Sequence, residues 1–127
     1  MSNAREEIIE NYINAYNSSD VERMVENLAL TIRFTNTAND EVTLAIEGLE
    51  AFKGQAMQAI GLFSQRKQTI KSMKHTGNAT EIVVDYRATL AKDLPNGLKK
   101  GDELCLSGRS IFIFNERNQV EELKDIS

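Results

Sequence analysis

The sequence is poor in the residues that staple, ligate or punctuate a chain: it has one cysteine, Cys105, one histidine, His75, and one proline, Pro95, in 127 residues. A lone cysteine closes no intrachain disulfide, and no Cys/His cluster stands at metal-ligand spacing. A reducing cytoplasm and no metal are therefore expected. No apolar run approaches the ~20 residues that cross a bilayer, and the start, MSNAREE, is charged where a signal peptide is greasy. A soluble protein retained in the cell, with no membrane partner, is the expectation. The residues MSNA are set aside as cloning residue. Positive charge is not in excess either, with 15 Lys+Arg against 19 Asp+Glu and a net charge of -4, so no basic stripe meets phosphates and nucleic acid is not expected as a partner. There is no Walker-type loop and no glycine fingerprint, and the turns PNG and KKG lead into no helix N-terminus. No nucleotide or other cofactor is expected.

What is present is periodicity. Ile8, Ile9, Tyr12, Ile13 and Tyr16 fall on one helical stripe between Arg5 and Asn17, with Glu6, Glu7 and Glu10 opposite. In NSSDVE, Ser19 is placed to cap a second helix, with Glu22 as its capping-box partner, and Val21, Met24, Val25 and Leu28 stripe it. Thr31 to Asn36, TIRFTN, alternates apolar and polar residues around Phe34 and reads as a strand, followed by the loop TANDE and a short extended piece, TLAIEG. A third helix is expected from about Leu49 to Ser64, striped by Leu49, Phe52, Ala56, Ile60 and Phe63 and weakened by Gly54 and Gly61. The period then changes to two. Gln68 to His75, Glu81 to Lys92, Leu104 to Phe114 and Val120 to Ile126 read as strands, joined by the turns HTGNAT and NERNQ and by the charged hairpin loop DLPNGLKKGD. Helices first and long strands afterwards give an α+β domain, one unit over residues 1–127, with the helices on one face of a curved antiparallel sheet. A domain of this length buries roughly two thirds of its unfolded surface.

The stretches INAYNSSDVERMVENLA, TIRFTN, IEGLEAFKGQ and DYRATLAKDLPNGLKKGDELCLSGRSIFIF, in this order, resemble the SnoaL-like and ketosteroid isomerase-like branch of the nuclear transport factor two-like superfamily over nearly the whole chain. The resemblance implies a cone: a curved antiparallel sheet wrapped around three helices, with a pocket inside. Members of that superfamily include ketosteroid isomerases, polyketide cyclases, dehydratases, subunits of larger enzymes and plain binding proteins, so fold alone does not fix function. Ketosteroid isomerases use an Asp base with a Tyr and a protonated Asp that stabilise an enolate. Aligned without gaps, the resemblance puts Tyr12 at the tyrosine, Phe34 at the base and Ser110 at the second donor. Only the tyrosine is retained.

Period two places Val84, Tyr86 and Ala88, and Leu106, Ser110 and Phe112, on inward faces. The expected lining of the cone is Tyr12, Tyr16, Phe34, Phe52, Tyr86, Leu106, Ser110 and Phe112, mostly apolar with isolated hydroxyls, as in a small-molecule site. Tyr12, Tyr86 and Ser110 are its polar handles and Phe34 is part of its wall. Three readings stay open: a small apolar-ligand-binding protein, a cofactor-free isomerase, cyclase or dehydratase, and an interaction module whose cone is filled. The enzyme reading takes Tyr12 as electrophile and Glu122 or Asp125 as base. The two carboxylates stand on opposite parities of the last strand, so one faces inward unless a bulge intervenes. His75 reads as a turn histidine and Cys105 as a small hydrophobe. The outward parity offers Met73, Val83, Ala91, Cys105, Ile111 and Ile113 beside Asp85, Arg87 and Arg109. That face predicts a homodimer.

Overall fold

In the computed structural model, which describes residues 4–127, six strands form one sheet against three helices. Met1–Asn3, within the MSNA segment, lie outside the described residues. Helix α1, Ala4–Asn17, buries Ile9, Tyr12, Ile13 and Ala15 and turns its glutamates outward, as its stripe requires. The short α2, Val21–Met24, is capped one residue later than expected. Ser19 takes a left-handed φ of 55° that ends α1, and Asp20 Oδ1 accepts the Arg23 N–H at 3.2 Å. Glu22 is then free of the capping box and pairs with Lys53 of the third helix at 3.3 Å. α3, Leu49–Ile60, buries Phe52 and Ala56.

The strands are β1 Leu28–Ala38, β2 Glu41–Glu47, β3 Phe63–Thr76, β4 Ala79–Leu90, β5 Glu103–Phe114 and β6 Val120–Ile126. Their order is β2-β1-β6-β5-β4-β3. The expectation of an all-antiparallel sheet fails at one seam: β1 and β6 are parallel, and the other pairs are antiparallel. Hairpins alternate direction from β3 to β6, and α3 returns the chain so that this alternation meets β1 running the same way. The third helix ends at Ile60, earlier than its stripe suggests, because Gly61 closes it and β3 starts at Phe63. The earlier end puts Arg66 on a strand.

Irregularities in register bend the sheet into its cone. One lies between Ile70 and Ser72, and it turns both Ile70 and Met73 toward the core. Met73 therefore leaves the outward patch to which simple alternation assigned it. Ala91 leaves it too, since β4 ends at Leu90. A second shift, between Ile113 and Phe114, takes up Glu121 and lets Val120, Leu123 and Asp125 face one side. The core gathers Ile9, Ile32, Ile82, Phe112, Phe114 and Leu123 at the closed end of the cone. Tyr12 lies edge-on to Phe112 there, with ring centroids 5.6 Å apart.

Side-chain clamps hold α1 to the sheet, among them Arg5, whose Nη1 donates to the Gly77 carbonyl at 2.8 Å. Asn17 bonds both backbone groups of Gln68, accepting from its N–H at 2.7 Å and donating to its carbonyl at 3.0 Å. His75 stands in β3, opposite Thr80, and not in the turn; it bridges Thr80 Oγ1 at 2.8 Å and Glu6 Oε1 at 3.0 Å and so ties the helix to the β3–β4 hairpin.

Candidate functional site

Toward the other end of the cone the sheet and helices part around a cavity of about 590 Å³. A filled cone therefore describes the closed end alone. Tyr12 and Tyr16 reach the cavity from α1, Phe52 and Ala56 from α3, Phe34 from β1 and Tyr86 from β4. Phe34 meets Phe52 edge-on at 5.5 Å, so the position that resembles a base is apolar wall. Leu106 lines the mouth with half of its surface exposed, 50 %. Phe112 is not part of the lining; it is 0 % exposed, because α1 covers the end of β5 where it stands.

The two carboxylates of the last strand separate as their parity requires. Glu122 faces outward, opposite Ile113, and pairs with Arg33 at 3.3 Å and Lys124 at 3.9 Å. It is not a site residue, since its strand position points it away from the cavity. Asp125 faces inward, opposite Ser110, whose hydroxyl donates to Asp125 Oδ1 at 2.7 Å. Burial among apolar walls pushes the Asp125 pKa up to about 6, against a partial lowering by the Ser110 bond. Burial also raises the phenol of Tyr12 well above its ordinary value, with Asp125 adding to the rise. Tyr86 is raised for the same first reason, burial. Both phenols stay protonated donors at neutral pH.

A further polar group is one that periodicity misses when the third helix is extended to Ser64 and the next strand begins at Gln68. Arg66 alternates with Gln68 and Ile70 on the inward face of β3, opposite Ala88. It is only 9 % exposed, and its guanidinium lies over the Tyr16 ring at 3.8 Å. Its Nε and Nη2 are buried without a hydrogen-bond partner. An arginine two residues before an inward Gln-x-Ile pattern is the signal that a strand started at Phe63 brings out.

Gly108 completes the site's geometry. A Cβ there meets the Ile126 carbonyl oxygen at 3.0 Å, so a bare backbone on β5 is what lets the end of β6 lie close beside the cavity. Among the described residues, no group of three or more His, Cys, Asp or Glu is placed to hold a metal ion, and no helix is long and apolar enough to cross a membrane.

No family profile and no curated protein matches the sequence. Solved structures do match in shape. A protein described as a SnoaL-like polyketide cyclase from Shewanella denitrificans is 14% identical, with 98% of this chain and 90% of that one covered and a TM-score of 0.79. An uncharacterized cystatin fold protein from Novosphingobium aromaticivorans is 16% identical over 99% of this chain and 100% of that one, with a TM-score of 0.75. A nuclear transport factor two-like protein from Burkholderia pseudomallei is 14% identical over 98% and 90%, again with a TM-score of 0.75. On this likeness in architecture, the chain has a nuclear transport factor two-like, cystatin-like fold.

Proposed function

We propose that the cavity binds a small, largely apolar carbonyl compound and that Asp125 moves a proton at the carbon beside the carbonyl. The observation that carries this reading is a carboxylate facing an apolar cavity with its pKa raised to about 6. A base works best when its pKa lies near the working pH, and burial has moved Asp125 in that direction. Asp125 takes the proton, the C–H electron pair passes into the carbonyl, and Tyr12 donates a hydrogen bond to the enolate oxygen that forms. Ser110 holds the carboxylate in place through its 2.7 Å bond. Return of the proton to another carbon gives isomerisation, attack by the enolate carbon gives cyclisation, and departure of a β-hydroxyl gives dehydration. The shape likeness to a protein described as a polyketide cyclase favours a substrate with this kind of acidic C–H.

The test is hydrogen–deuterium exchange at the activated carbon of 2-tetralone, monitored by NMR in heavy water. Native protein should accelerate exchange, Asp125→Asn should lose about 100-fold or more of that acceleration, and Glu122→Gln should keep it. Undiminished exchange in Asp125→Asn overturns the assignment.

We also infer a homodimer through the outer sheet face, cytoplasmic in keeping with its unpaired cysteine. Val83, Ile111 and Ile113 share that face beside the Arg109–Glu81 ion pair, and an apolar sheet face of this kind closes on a second copy by two-fold symmetry. Light scattering should give twice the chain mass for native protein and the single mass for Val83→Glu; a native monomer at micromolar concentration sinks the idea.

A further inference from the structure

We infer that the molecule the cavity takes carries an anionic group, a carboxylate, that docks on Arg66. The inference deepens the reading of the cavity as a substrate site and does not depend on what Asp125 does there.

Arg66 is nine-tenths buried, and the guanidinium cannot shed its charge by deprotonation. Burying such a charge without hydrogen bonds is costly, and a protein interior ordinarily pairs it. Here the Tyr16 face, 3.8 Å below, supplies part of that compensation as a cation–π contact. No ion pair joins Arg66 to any carboxylate among the described residues. The two nitrogens left without partners are Nε and Nη2. They form one edge of the planar guanidinium, and their two parallel N–H bonds are the fork that fits both oxygens of a carboxylate. Both nitrogens are closed off within the cavity wall that Arg66 helps to form, so a carboxylate reaches them by displacing the side chains packed over them.

The surroundings narrow the ligand further. Tyr16, Tyr86 and Phe63 stand around Arg66, with Tyr86 6.4 Å from each of the other two rings. Flat apolar walls next to one cationic fork suit an aromatic or alicyclic acid. Arg66 stands on β3 and Asp125 on β6, with β4 and β5 between them in the sheet, and Tyr12 reaches the cavity from α1. A ligand anchored by its carboxylate at Arg66 thus extends past Tyr12 toward Asp125. Its reacting carbon and its anionic group lie at opposite ends of the cavity, which keeps the substrate's charge away from the base.

The experiment compares 2-naphthoate with 2-naphthamide, which has the same shape and no charge, by calorimetry at neutral pH. Native protein should bind the naphthoate about tenfold more tightly or better, the weight of a charge-assisted bidentate pair. Arg66→Gln should bind both probes equally, and Arg66→Lys should recover little, since an ammonium offers no fork. Asp125→Asn should keep the naphthoate preference. A folded Arg66→Gln protein, checked by its melting temperature, that still prefers naphthoate overturns the inference. Amide binding with no preference in native protein overturns it while leaving the cavity as a substrate site. Failure of both probes to bind counts against the cavity as a substrate site, and so against both readings.

Discussion

Along β5, Phe112 and Phe114 at one end are fully buried, whereas Leu106 earlier on the same face is half exposed at the mouth of the cavity. Sequence parity treats these positions alike, and the helices do not. α1 covers the far end, where Ile9, Tyr12 and Ile13 belong to the same buried cluster as Phe112. Nothing covers the near end but the cavity. The closed end is built for stability, where burying a phenylalanine contributes about 1.5 to 3 kcal/mol. At the open end that gain is given up in exchange for room, and the polar groups Asp125, Ser110 and Arg66 line the cavity. Position along a strand, and not hydrophobicity, separates scaffold from site in this fold.

The comparison breaks most clearly by truncating one ring at each end. Phe112→Ala should lose about 3 to 5 kcal/mol in urea unfolding, because packed neighbours cannot close around the void. Phe34→Ala, beside space that already exists, should lose roughly 1 to 2 kcal/mol and admit bulkier apolar probes. Equal losses at the two sites would make the cavity a part of the packed core.

A smaller effect is expected from pH. The Asp125 pKa rises from 3.8 unfolded to about 6 folded, so the folded state holds its proton more tightly. The resulting stability is present in full below pH ~4 and is lost as pH rises through about 6. Relative to native protein, Asp125→Asn should be more stable above pH 7 by up to about 3 kcal/mol, and the advantage should fade near pH 4. Chemical denaturation across that range measures it; a constant difference, or one that grows on acidification, contradicts a carboxylate held in an apolar site. The smallest change belongs to the mouth. Leu106→Ser should shift stability by less than about 0.5 kcal/mol in the same assay, since the side chain is already half in water.

Much of the fold was legible because periodicity is long and regular in α1, β4 and β5: Ile82, Val84, Ala88 and Leu90 turn inward as alternation requires. The parallel seam was not legible, since pairing between β1 and β6 depends on how many times the chain reverses between them. Nor were the bulges of the β3–β4 and β5–β6 pairs, which each displace a single residue and flip the facing of its successors; Met73 changes faces for that reason. At the site, Tyr12, Tyr16, Phe34, Phe52, Tyr86 and Ser110 come together at the cavity, and Asp125 separates from Glu122 by parity. The Ser110–Asp125 pair needed the register of two strands, which no single strand carries. Arg66 falls between the helix expected to end near Ser64 and the strand expected from Gln68, and it joins a strand because Gly61 ends α3 early and β3 starts at Phe63.

The place of β6 has a consequence for how the protein is made. It is the last strand in chain order, yet it lies inside the sheet between β1 and β5. Until it is synthesised, β1 and β5 have open edges facing each other and the cone has a slot down its wall. Closing that slot joins segments from opposite halves of the sequence, the kind of distant pairing that slows folding because its chain entropy is lost before its contacts form. The carboxylate arrives with this same strand. A nascent chain can therefore hold a nearly complete set of apolar walls without Asp125, and this inward-facing carboxylate enters in the step that shuts the cone.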